Sequence, residues 1–181
     1  TMIIFTADNG TDQPVISMKN NISIDGAKGK TIDTGTHVPL LVSWSKTIES
    51  GIINKSLIDF SDFFPTICEA AGIKLNSNLD LDGVSFYNQL IGQDGPKRKW
   101  IHSWYSRGGG SSMNDETFEW VRNETYKFYR GNKFYNVKKD PNEKNKLSWN
   151  QMTIEERKIQ QEFSNVLKSY NTLRNNTSIN E

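Results

Sequence analysis

An aspartate and an asparagine, Asp8-Asn9, directly follow a short apolar run from Met2 to Ala7. Their carboxylate and amide oxygens are hard donors, suited to calcium or magnesium rather than zinc. In open α/β sheets ligands collect beyond the carboxyl ends of strands, so two oxygen donors at this place have the address of a metal site. The plain alternative is an Asx turn, in which both side chains only satisfy local N–H groups. A second candidate is Gly26-Ala27-Lys28-Gly29-Lys30. Small neighbours let the backbone approach an anion, and a lysine ammonium holds one as a compact point charge. Its plain alternative is an exposed basic turn. His37 stands just before a second apolar run, as a ligand, a proton donor or a packed loop residue. Arg107 opens a Gly- and Ser-rich stretch, Gly108 to Ser112, whose composition suits a substrate-contacting loop and equally a disordered one. His102 lies in the aromatic run Trp100-Ile101-His102-Ser103-Trp104, where core packing is the simplest role.

The 181 residues carry 22 Lys+Arg against 21 Asp+Glu, a net charge of +1, which excludes a polybasic nucleic-acid binder as the default. The single cysteine, Cys68, excludes a disulfide framework. No apolar run is long enough to span a membrane. Only 35% of residues are hydrophobic, so the core must draw its bulk from nine Phe, six Tyr and five Trp.

Two continuous apolar runs, Met2–Ala7 and Val38–Trp44, read as strands buried on both faces, the habit of parallel sheets. Between them, Asn9 to about Gly35 lacks any period and reads as a long irregular loop. A chain that opens inside a core strand is expected to be a piece of something longer. Leu57 to Ala71 has helical spacing, with Asp59, Ser61 and Asp62 to cap it, Pro65 in its opening turn and Gly72 at its end. Cys68 falls on its apolar stripe and reads as structural. The texture changes at Gly92–Pro96, which divides the chain into 1–95 and 96–181. Beyond it, Lys99–Tyr105, Phe118–Asn123 and Tyr126–Tyr135 predict an antiparallel meander turning at Arg130-Gly131-Asn132. Thr153-Ile154-Glu155-Glu156 fits a capping box, and Ile159, Phe163, Val166, Leu167, Tyr170 and Leu173 form one stripe of a last helix.

Order and spacing tie these features together. Ile3 to Gly10, then Gly26-Ala27-Lys28-Gly29, then Asp33 to Val42 resemble the type I sulfatases of the alkaline-phosphatase superfamily. Asp62-Phe63-Phe64-Pro65-Thr66 within a helix ending Ala71-Gly72, Leu81-Asp82-Gly83-Val84-Ser85, Val121-Arg122, Tyr126-Lys127-Phe128 and Asp140-Pro141-Asn142-Glu143 are similar to further motifs of that family. The resemblance covers nearly the whole chain. It implies an α/β fold: an incomplete C-terminal portion of a mixed, mostly parallel sulfatase sheet, and a small antiparallel sheet covered by a C-terminal helix. Residues 1–95 would be the end of the catalytic domain and 96–181 its C-terminal subdomain.

The resemblance also implies roles. Asp8 and Asn9 take the place of two calcium ligands, with magnesium as the alternative ion, and Lys28 that of the lysine touching sulfate and leaving group. His37 and Arg107 become candidate substrate contacts. The family's nucleophile is a formylglycine made within a Cys/Ser-x-Pro-x-Arg motif, and no such motif occurs in this chain. The implied whole is therefore a sulfatase acting on sulfated carbohydrates or other sulfate esters, completed by an N-terminal part of the catalytic domain, without nucleic acid or a membrane span. Family habit places it in a periplasm or outside the cell. Two rivals stand beside it: a phosphatase or phosphonate hydrolase of the same superfamily, and a non-catalytic domain binding a glycan or a partner. The fragment alone is expected to be inactive, with the Asp8 and Asn9 oxygens converging on one point.

Overall fold

The computed structural model describes residues 1–106 and 117–171. Its elements run β1 (Met2–Thr6), β2 (Ile16–Lys19), β3 (Ile22–Asp25), α1 (Asp33–Thr36), β4 (Leu40–Trp44), α2 (Phe63–Ala70), α3 (Tyr87–Leu90), β5 (Ile101–Ser106), β6 (Thr117–Arg122), β7 (Tyr126–Tyr129), β8 (Lys133–Asn136) and α4 (Ile154–Ser169). They fall into two compact units. One joins Thr1–Ala7 to Pro39–Ile101, and the other joins Asp8–Val38 to the described part of His102–Glu181. The textural break at Gly92–Pro96 lies shortly before the end of the first unit, and the loop after β1 packs with the second. Among the described residues no helix is long and apolar enough to cross a membrane.

In the first unit β1 and β4 pair antiparallel, Met2 opposite Trp44 and Thr6 opposite Leu40. This differs from the parallel-type layer that the apolar runs suggest. A parallel pair needs a covering crossover, whereas the segment between these strands packs elsewhere. Nor are both faces covered: Met2 and Ile4 are half-buried, but Ile3 and Phe5 are each 62% exposed.

The predicted helix from Leu57 starts later, as a 3-10 turn over Phe60–Asp62 that leads into α2. Asp59 caps this turn by accepting from the Ser61 N–H, and Asp62 reciprocates at the Asp59 N–H. Gly72 ends the helix at φ 70°, with the Ile73 N–H donating to Cys68 O at 2.8 Å, as a left-handed cap requires. Cys68 is a half-buried free thiol on this helix. Asp62 is the unit's polar hub. It is 1% exposed, pairs with Arg98 and accepts from the Val84 N–H at 2.7 Å. Thr66, fully buried one turn on, accepts from the Phe86 N–H at 3.0 Å. The Asp-x-x-Pro-Thr spacing thus fastens the segment 84–86 to the helix.

The second unit holds the four-stranded sheet, ordered β5-β6-β7-β8. β6–β7 and β7–β8 pair antiparallel, with Val121 opposite Phe128 and Phe128 opposite Phe134. The meander and its turn form as the sequence predicts, Gly131 and Asn132 taking φ of 101° and 65°. Thr153 and Glu156 make the expected reciprocal cap at the start of α4. That helix lies on β6 and β7 and buries Phe163 and Leu167 in a core with Val121, Phe128, Phe134, Val137 and Met152. His102 is a packed residue, stacked on Tyr170 at 3.7 Å and 2.9 Å from the buried Glu119 carboxylate.

The loop after β1 is less irregular than its sequence suggests. It contains the hairpin β2–β3, turning through Asn20 and Asn21 at φ 52° and 62°. Positive φ at both central positions is the two-residue turn that asparagine favours. Nearly every side chain of the hairpin is exposed, so no core-facing alternation marks it in the sequence.

Candidate functional site

Asp8 and Asn9 lie in a bend just beyond the carboxyl end of β1. The next residue fixes the bend, because the Gly10 N–H donates to Gly35 O at 3.0 Å. A Cβ on Gly10 would stand 2.0 Å from Thr34 O, so only glycine permits this approach. The lysine loop is stitched to the same segment. The Lys28 N–H donates to Thr11 O at 2.9 Å, and the Gln13 side-chain amide donates to Lys28 O at 3.0 Å. Gly26 and Ala27 are buried, whereas the Lys28 and Lys30 side chains are exposed. Behind the loop, α1 presses Gly35 so close that a Cβ there would meet Lys30 O at 2.2 Å.

Among the described residues no hydrogen bond or ion pair ties down the side chains of Asp8, Asn9 or Lys28. The backbone therefore brings the strand-end turn and the lysine loop together, while their functional groups remain available. Asp8 and Asn9 offer one carboxylate and one amide oxygen, a donor set that fits calcium or magnesium in kind. Calcium takes six to eight oxygens. Among the described residues no group of three or more His, Cys, Asp or Glu side chains could hold a metal ion, so these two donors fit as a contribution to a site and do not make one alone.

His37 follows α1 with its side chain 74% exposed and its Nδ1 3.5 Å from Asp33 Oδ2. Asp33 is also engaged by the Arg122 guanidinium. Burial alone would raise the Asp33 carboxyl, but the contacts from His37 and Arg122 outweigh it and hold its pKa below the ordinary value. Arg107 lies outside the described residues.

A cluster represented in the sequence motifs only by Lys127 and Glu143 stands beneath the loop. Lys127, from β7, donates to Thr31 O and pairs with Glu143 at 2.8 Å. The Tyr129 hydroxyl lies 2.8 Å from Thr31 Oγ1 and 2.5 Å from Glu143 Oε2. Burial lowers the Lys127 pKa to about 8 despite Glu143 beside it. Burial, with the hydrogen bond to Glu143, pushes that of Tyr129 up.

Residues 28–172, from the candidate lysine to beyond α4, match the family "N-sulphoglucosamine sulphohydrolase, C-terminal". The chain belongs to that family. Sulphohydrolase-related proteins of known sequence agree. The ulvan-active sulfatase of Formosa agariphila is 30% identical over 132 residues, 72% of this chain and 23% of the relative. The uncharacterized sulfatase YdeN of Escherichia coli is 40% identical over 87 residues, 47% of this chain and 15% of the relative. Human arylsulfatase A is 33% identical over 93 residues, 51% and 18%. The chain spans less than a quarter of the length of each of these relatives. A protein solved in complex with its substrate D-glucosamine-2-N,6-O-disulfate superposes with a TM-score of 0.67 at 20% identity, over 97% of this chain and 35% of that one. A likeness at that identity shows the shared fold. The family match begins at Lys28 itself and takes in the network beneath it.

Proposed function

We propose that the full-length protein carrying this sulphohydrolase C-terminal chain hydrolyses sulfate esters of carbohydrates. The observation that carries the reading is the backbone bond from Lys28 to Thr11, which ties the lysine loop to the segment that follows Asp8 and Asn9. The family match and relatives described as sulfatases support the reaction class. The relative named for ulvan and the neighbour solved with a glucosamine disulfate support a carbohydrate substrate.

Asp8 and Asn9 would hold calcium, with the remaining ligands supplied from elsewhere in the protein. When bound, that ion would draw charge from the sulfate oxygens and polarise sulfur for attack. Lys28 places its ammonium where charge develops on the sulfate and the departing oxygen. His37, exposed with its Nδ1 3.5 Å from Asp33 Oδ2, would contact substrate, with Arg107 as a second contact. The formylglycine nucleophile comes from outside this chain, which holds no Cys/Ser-x-Pro-x-Arg motif. The missing N-terminal part of the catalytic domain is thus an obligatory partner, and a periplasmic or extracellular setting goes with the sulfated-glycan substrate. The amide at Asn9 favours calcium, and hence sulfate, over the zinc of phosphatases, because histidine is the better zinc ligand.

The full-length protein, purified and given a glucosamine sulfate and an aryl phosphate, tests this. Calcium-supported sulfate release that EGTA abolishes is expected. Phosphate release instead would make the protein a phosphatase, and turnover of neither would leave a binding domain.

A further inference from the structure

Lys127 and Glu143 meet with only 1% and 8% of their side chains exposed, yet neither reaches the candidate site. Burying two charges costs several kcal/mol each before they attract, and such a pair often stabilises no better than apolar residues. A buried pair therefore calls for a role beyond folding, and its contacts supply one. Glu143 accepts from Lys127 through one oxygen and from the Tyr129 hydroxyl through the other. Both donors also reach Thr31, Lys127 at its carbonyl oxygen and Tyr129 at its hydroxyl. The Lys127 ammonium further sits 4.7 Å from the Trp120 ring centre and 4.8 Å from that of Tyr129, which fixes its direction. Two residues beyond Thr31, Asp33 is engaged by Arg122.

One stem of the lysine loop is thus clamped by side chains of the four-stranded sheet. The other stem is held by backbone bonds, Gly26 N–H to Val15 O at 2.8 Å and Lys28 N–H to Thr11 O at 2.9 Å. Glu143 itself adopts φ 54°, a left-handed backbone that a residue with a Cβ takes up at a cost unless its surroundings require it.

We propose that Glu143, acting through Lys127, Tyr129 and the Thr31 backbone, is the positioning residue for Lys28. This rests on the reading of Lys28 as the sulfate contact. A cation that stabilises a transition state must be held within a fraction of an ångström, and misplacement by about 1 Å can cost on the order of a hundredfold in rate. Among the described residues, Glu143 is the group that accepts from both donors to Thr31.

Glu143→Gln in the full-length protein keeps the shape and removes the charge. Turnover of a sulfate ester is expected to fall ~10- to 100-fold with KM little changed. Trypsin cleavage after Lys28 or Lys30, followed by mass spectrometry at a temperature where the variant is still folded, should quicken ahead of cleavage elsewhere, although the unfolding midpoint falls because Lys127 loses its charged partner. Combined with Lys28→Met, the double variant should lose no more than Lys28→Met alone, because the clamp acts through that lysine. Losses that multiply, or a trypsin rate unchanged by Glu143→Gln, would overturn the proposal. Full turnover in Lys28→Met would instead overturn the sulfate-contact reading, with the trypsin rate still deciding the clamp. Should Glu143→Gln fold poorly, Tyr129→Phe removes one arm of the clamp and is held to the same outcomes.

Discussion

The backbone N–H of Lys28 donates to the carbonyl oxygen of Thr11 at 2.9 Å, across a hairpin that separates them in sequence. Each residue belongs to a segment that is ambiguous alone: an Asp-Asn turn and a basic loop. Their backbones are joined by this bond, which ties the lysine loop to the segment that follows Asp8 and Asn9.

Lys28→Met in the full-length protein should lower turnover of a sulfate ester by ~100- to 1,000-fold, the cost of losing one donor at developing charge. Stability should barely change, since the side chain is exposed. Lys30→Met is the control, equally charged on the same loop. Steady-state kinetics at low and high salt separate the mechanisms. Equal, salt-sensitive losses in the two variants would mean general attraction, which salt screens, and would refute a specific role for Lys28.

Gly35→Ala should damage the site by packing. The added methyl would stand 2.2 Å from Lys30 O and 2.5 Å from Ala27 O, both backbone atoms, so the loop itself must move. Overpacking of this kind costs about 1–3 kcal/mol. A lower thermal midpoint together with reduced turnover is expected. Gly51→Ala, at a glycine with nothing within 4 Å but φ 80°, should lower stability through backbone strain while sparing turnover per folded molecule.

Legibility followed the source of each signal. The α4 cap, the Arg130–Asn132 turn and the aromatic meander were readable because local chemistry and burial agree there. The β2–β3 hairpin escaped notice because its side chains are exposed, leaving only Asn20-Asn21 to mark it. The double-sided burial expected of β1 is absent: Ile3, Phe5 and Leu41 are open in a chain that spans about a third of its structural neighbours. At the site, Asp8, Asn9, Lys28 and His37 are named from sequence, whereas Lys127 and Glu143 stand only within family motifs and Tyr129 only within a predicted strand run. Their roles depend on a contact with Thr31, nearly a hundred residues away in sequence, which no local pattern records.

Asp62→Ala should be the most destabilising of these changes. It takes the carboxylate from Arg98, whose side chain is 8% exposed and keeps uncharged acceptors such as Ser61 Oγ and Asp82 O, and removes the acceptor for the Val84 and Asp59 N–H groups. Breaking a buried pair from one side costs about 3–5 kcal/mol. Asp59→Ala removes only a cap and should cost about 1 kcal/mol. Thermal unfolding of both variants checks the ranking, and equal midpoints would show that Asp62 is no hub.

Stability should rise with pH above neutrality because of Lys127. Burial lowers its folded pKa to about 8 from the ordinary 10.5. Between those values the unfolded chain keeps a proton that the folded one has shed. Stability then increases with pH, because the unfolded state binds more protons. Below about 8 both states are protonated and the burial penalty on Lys127 is present in full. Tyr129 acts in the opposite sense, since its folded pKa is raised above the ordinary 10.0. Once unfolded tyrosine ionises, the folded state holds the extra proton and stability falls as pH climbs further. The increase attributable to Lys127 is therefore expected between about pH 8 and 10. Urea midpoints measured across that window should climb in the parent and stay flat in Lys127→Met combined with Glu143→Gln, which leaves no lone buried carboxylate. The same climb in both proteins would show that other groups, and not the lysine beneath the loop, govern the alkaline dependence.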